Sequence, residues 1–113
     1  MAISEVIRRA IGLSFPAKDQ EIVVNLLEKI FPNQGNGTLE GTQAAVLVLG
    51  YQDKGAIQQL IENTGGDFRE IMKCLEYPNW YQSDLTRQDL VHRYRALELP
   101  IHHTLERVAK KMS

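Results

Sequence analysis

Cysteine is almost missing from this chain. Cys74 is the only one in 113 residues, so no intramolecular disulfide can form and no CxxC metal pair exists. Long apolar runs are missing too: the longest, residues 44–49, is far short of the roughly 20 residues that a membrane span needs. Residues 1–15 carry Glu5, Arg8 and Arg9 where a secretory signal needs an apolar core. These absences lead to the expectation of a cytoplasmic protein with no membrane partner. Asn36-Gly37-Thr38 fits a glycosylation sequon, but without a secretory route it reads as a turn. Glycines 35, 37 and 41 match neither G-x-G-x-x-G nor G-x-x-x-x-G-K-[ST], and no strand precedes them, so a phosphate-cradling loop is discounted. A large excess of one charge is also lacking. The net charge of −1 argues against strong nonspecific attraction to nucleic acid.

What is present is the composition of one globular domain, 43% hydrophobic and 24% charged, spanning residues 1–113. Apolar residues recur at helical spacing almost throughout. The spacing predicts a first helix over residues 3–13, with Ser4 as its cap. It predicts a second over residues 17–31, with Pro16 in its first turn, Pro32 as its stop, and an apolar stripe of Ile22, Val23, Leu26, Leu27, Ile30 and Phe31. Residues 33–37 read as a loop. Residues 44–49 fit either a buried strand or a buried helix. Helix is chosen because Thr42 can cap it, two alanines open it and no partner strand is evident.

Asp53 is positioned to cap a helix burying Ile57, Leu60 and Ile61, which ends at Gly65-Gly66. Asp67 caps the next, with Phe68, Ile71, Met72 and Leu75 inward and Pro78 as its end. Tyr77, Trp80 and Tyr81 form an aromatic cluster expected in a loop, packed over the core edge. Thr86 and Asp89 resemble a capping box before a helix that buries Leu90, Val91, Tyr94 and Leu97. After Leu99-Pro100 a last helix places Ile101, Leu105, Val108 and Met112 on one face. The expected fold is an all-α, compact bundle of six to seven short helices that can contain a helix-turn-helix.

Catalytic chemistry finds little support. Cys74 has the setting of a small core residue, and its nearest histidine lies 18 positions away. His102 and His103 would diverge by about 100° on a helix, and their spacing to Glu106 and Arg107 suits surface pairs, not an HExxH site. No two carboxylates are set together in an apolar stretch. The expectation is a protein that is not an enzyme and takes no metal or cofactor.

Two local resemblances share one region. LGYQDKGAI at residues 49–57, followed by GGDFRE at 65–70, resembles the DNA-binding region of AraC-type transcription regulators. There an LGY-x-D-x-S-A-F turn leads into a recognition helix and a G-x-S-F-R-E-like segment enters a linker helix. Gly55 stands in place of the family's serine. TGGD-x-R at residues 64–69 is also similar to the helical lid of AAA+ ATPases, in which an arginine at the position of Arg69 senses nucleotide. With no Walker motif, such a lid would bind a partner without hydrolysing ATP.

The first functional reading is therefore a small helix-turn-helix-like DNA-binding regulator of transcription. Lys54, Gln58 and Gln59, or alternatively His102, His103 and Arg107, would face base edges of double-stranded DNA. Arg87, Arg93, Arg95, Lys110 and Lys111 would hold phosphates. The charge distribution agrees: from residue 87 onward, six Lys/Arg face three Asp/Glu, while the remainder has seven against eleven. A protein this small would gain affinity as a homodimer. The alternative is a helical protein–protein interaction module (an adaptor, inhibitor or assembly factor) that uses an apolar groove or the Tyr77/Trp80/Tyr81 edge and binds no nucleic acid.

Overall fold

The longest apolar run of the sequence becomes the centre of the molecule. The computed structural model describes residues 3–30 and 39–112, and among them the chain is helix and turn, with no strand. The helices are α1 (Glu5–Ser14), α2 (Ala17–Leu27), α3 (Leu39–Leu49), α4 (Lys54–Thr64), α5 (Phe68–Glu76), α6 (Pro78–Tyr81), α7 (Arg87–Ala96) and α8 (Glu106–Lys111), with a 3₁₀ turn at His103–Leu105 entering α8. Every residue of α3 from Thr42 to Leu49 is buried, because α1, α4, α5 and α7 all pack around it. A helix that is apolar on all sides is stable only when surrounded in this way. Its buried apolar side chains are continuous with those of its neighbours in one core cluster.

Thr42 does not cap α3. The helix begins at Leu39, and Thr42 lies inside it at 1% exposure. The polar opening turn, with Glu40 at the positive end of the helix dipole, extends the helix beyond what the apolar run alone suggests.

Elsewhere the caps fall where local chemistry puts them. Ser4, Asp53 and Asp67 each accept a backbone N–H of the following turn, at 3.3, 3.1 and 2.8 Å. Thr86 and Asp89 close a reciprocal capping box, with bonds of 3.0 and 3.1 Å. Gly65, at φ 64°, ends α4 in the left-handed conformation.

Five further expectations need correction. Helix α2 stops at Leu27, and the next residues tighten into i→i+3 bonds, Lys29 N–H to Leu26 O and Ile30 N–H to Leu27 O. Its inward face is rotated from the expected stripe, leaving Ile22 45% exposed while Val24 is buried. Pro16 is the residue before α2, not part of its first turn. Residues 78–81 are not a loop: Pro78 both ends the preceding helix and opens the one-turn α6, where a missing N–H costs nothing. The last helix is shorter than its apolar spacing suggests: Ile101 precedes the 3₁₀ turn, and α8 proper starts at Glu106. Phe31, Pro32, the loop at 33–37 and the Asn36 sequon lie outside the described residues.

Candidate interaction surfaces

The α3–α4 connection is a tight helix–turn–helix. Asp53 N–H returns to Gly50 O at 3.1 Å, and Gln52 takes φ 58° to make the bend. A Cβ on Gly50 would lie 2.6 Å from Ile57 Cγ1 and 3.0 Å from Ile57 N, so only glycine lets α4 approach the end of α3 this closely. Lys54, at the start of α4, forms a 2.7 Å ion pair with Asp19 of α2. Gln58 donates to Glu62 at 3.1 Å, and Gln59 is exposed on the rim of a cavity at the turn. The outer face of α4 is thus amide-rich and carries an acid, and its single cation is already paired.

The arginines of α7 share one task. Arg93 Nη1 donates to Val48 O at 3.1 Å and Leu49 O at 3.4 Å, the last carbonyls of α3. Its guanidinium also lies 5.2 Å from the centre of the Tyr51 ring, within cation–π range. Arg87 Nε donates to Glu76 O, the last carbonyl of α5, at 2.9 Å. Arg95 Nη2 reaches Ala109 O in α8 at 3.4 Å. Each side chain brings a positive charge to the negative end of a different helix. Lone acceptors at helix ends are common in sequence, and nothing local in 87–95 marks which distant helix each arginine serves.

On α8, Arg107, Lys110 and Lys111 are exposed and share a face by their three- and four-residue spacing. Helix α8 packs on α7 and the 3₁₀ turn, whereas α4 packs on α2, α3 and α5.

His102 and His103 do not diverge as helical neighbours would. His102 is extended, at φ −62° and ψ 140°, and caps the 3₁₀ turn: its Nδ1 accepts Thr104 N–H at 3.1 Å. Its ring lies 4.2 Å from that of His103. Burial first, then the neighbouring imidazole, push its pKa down, against the pull of Glu106 and Glu76. Among the described residues no group of three or more His, Cys, Asp or Glu is placed to hold a metal ion.

The aromatic edge departs from expectation in its exposure. Trp80 is 69% exposed and Tyr77 43%, their rings stacked with centroids 4.4 Å apart and planes 18° apart. Of the three aromatics, Tyr81 alone packs half-buried against the core. Beside the stack is a cavity of about 410 Å³, between Leu60, Thr64 and Cys74 on one side and Trp80 and Tyr81 on the other. Cys74 is half-buried, and burial and the nearby Glu70 carboxylate push its thiol pKa up, which favours the protonated form over the nucleophilic thiolate. No helix of the described residues is long and apolar enough to cross a membrane. Comparison with known proteins returns no matching family model, no curated relative and no similar solved structure.

Proposed function

We propose that this protein is a non-enzymatic helical interaction module that docks a segment of a partner protein on the Tyr77–Trp80 edge. The observation that carries this reading is the exposure of Trp80. A tryptophan left two-thirds open to water, and held flat by a stacked tyrosine on a one-turn helix, is a preorganised contact surface of the kind that dominates protein interfaces. The adjoining cavity gives the flanking partner chain a place to lie. The arrangement of the α7 arginines also favours this reading over DNA binding, because three of the five residues expected to hold phosphates, Arg87, Arg93 and Arg95, already serve helix ends.

Trp80 is the only tryptophan, so its emission reports contact directly. A photo-crosslinking residue at position 80 in cells identifies the partner, which is then purified and titrated. The expected results are a blue shift of Trp80 emission and a loss of roughly 2 kcal/mol of affinity, about 30-fold, in Trp80→Ala. An identified partner that binds Trp80→Ala as well as the wild type overturns the reading, as does the absence of any discrete crosslinked product.

The second reading, a DNA-binding regulator that dimerises on its site, draws support from the α3–turn–α4 unit and the free cations of α8. Fluorescence anisotropy with mixed-sequence duplex DNA at two salt concentrations tests it. Binding should weaken steeply with salt, and replacing Arg107, Lys110 and Lys111 with alanine should flatten the salt slope by about 0.9 per lost phosphate contact. No binding at low salt ends this reading.

A further inference from the structure

The cavity at the α3–α4 turn, about 600 Å³, has opposite charges on its walls that do not pair with each other. Arg93 and Asp53 both line it, yet the ion pairs among the described residues join Lys54 to Asp19 and Lys73 to Glu70. Arg93 spends Nη1 on the α3 carbonyls, and its Nη2 and Nε have no hydrogen-bond partner among the described residues. Asp53 spends Oδ1 on Ala56 N–H, and Oδ2 is likewise without a partner. The stretch of wall between them is amphipathic. Tyr51, Tyr81 and Ala56 offer apolar surface, and Gln59 and Gln82 offer amides that can donate or accept. Gly55, with no side chain, leaves that wall open at the base of α4. The Tyr81 phenol registers both charges: burial, Cys74 and Asp53 push its pKa up, while Arg93 pulls it down.

A lone anion would gain from Arg93 and lose to Asp53, and a lone cation the reverse. A molecule carrying both charges gains from each. We propose that this cavity binds a small dipolar molecule with a carboxylate and an ammonium group, of which an α-amino acid with an apolar or aromatic side chain is the simplest. Arg93 takes the carboxylate, Asp53 takes the ammonium, and Tyr51 and Tyr81 flank the side chain. The volume accommodates a free amino acid or a dipeptide, two sources of the same chemistry. The site shares the Tyr81 ring with the cavity beside the Tyr77–Trp80 edge, but Arg93 and Asp53, which set its preference, line only the α3–α4 cavity of the two, so neither reading depends on the other.

The test is a titration of the full chain followed by ¹⁵N-resolved NMR. The probes are L-phenylalanine, N-acetyl-L-phenylalanine, L-phenylalaninamide and the dipeptide Phe-Phe. The acetylated probe lacks the positive end and the amide lacks the negative end. Phenylalanine is expected to saturate shifts at Gly50, Gly55 and the Gln59 side chain, with each single-pole probe at least fivefold weaker. Tighter binding of phenylalanine than of Phe-Phe assigns the free amino acid as the source, and the reverse order assigns the peptide. Asp53→Asn keeps the α4 cap, since asparagine caps as well as aspartate, but removes the charge. In that variant the acetylated probe should match phenylalanine. Tyr81→Phe, which removes only a hydroxyl, should leave the preference for the two-charge probe intact. No saturable shift up to about 20 mM, equal affinity for all four probes, or an unchanged ranking in Asp53→Asn each overturns the proposal.

Discussion

Helices α7 and α8 carry three cations each, only a few residues apart in sequence, and use them in opposite ways. Arg87, Arg93 and Arg95 turn inward along the surface and close the ends of α5, α3 and α8. Arg107, Lys110 and Lys111 face solvent. The same excess of positive charge therefore divides into a part that holds the fold together and a part that is free to meet an anion. A net-charge count cannot make that division, because it depends on which carbonyls happen to end nearby. Arginine suits the first role: its guanidinium carries five fixed donors, and in Arg93 one nitrogen, Nη1, meets both carbonyls.

The comparison breaks most directly at Arg93. Arg93→Ala strips the donors from Val48 O and Leu49 O and removes the cation from the Tyr51 ring. Urea denaturation should show a loss near the lower end of the about 1.5–3 kcal/mol typical of charged hydrogen bonds, because the side chain is only half-buried. A loss below about 0.5 kcal/mol would place Arg93 with the α8 cations instead. Next comes the start of α7. Thr86→Ala removes the capping box that anchors the arginine-bearing helix and should cost about 1 kcal/mol, with Thr86→Ser recovering most of it.

The 3₁₀ turn into α8 supplies a pH-dependent contrast. Folding lowers the His102 pKa, so the neutral ring is favoured in the folded state. The contribution is complete above the unfolded value of about 6.5 and is lost as pH falls through the lower folded value, when Nδ1 gains a proton and no longer accepts Thr104 N–H. The protection of α8 amides, measured against an intrinsic exchange rate that itself slows in acid, should therefore fall on acidification. In His102→Asn, whose side-chain oxygen remains an acceptor at any pH, that loss of protection should be much reduced. The smallest effect is expected from the triple variant Arg107→Ala/Lys110→Ala/Lys111→Ala, whose stability should stay within about 0.5 kcal/mol of the wild type.

The sequence was most legible where the determining chemistry is local. Ser4, Asp53, Asp67 and Thr86 with Asp89 could be read as caps because a cap needs only its own next turn. The seven expected helices all exist, six read from periodicity and the one at residues 44–49 chosen over a strand on other grounds, and the further α6 was missed because a single turn leaves no period to detect. Thr42 misled because a capping residue type lay just before an apolar run, while the helix had already begun on polar residues. The rotated face of α2, with Ile22 outward and Val24 inward, depends on where α1 and α4 press against it. The roles of the arginines were least legible: Arg93 and Val48 are 45 residues apart, and only the folded chain brings them together. Trp80 is a case of the same kind, since its ring chemistry suggests packing and its position on α6 leaves it open to water.

The reach of Arg93 also sets an order of events during synthesis. Helix α3 is complete in sequence by residue 49, yet the donors that close its C-terminal end belong to residue 93 and emerge from the ribosome only after α4, α5 and α6. Until then the Val48 and Leu49 carbonyls lack those donors. The final quarter of the chain therefore completes the centre, because α7 both packs on α3 and carries the arginine that closes its end, and a nascent chain halted ahead of Arg93 holds its core helix with that end unfastened.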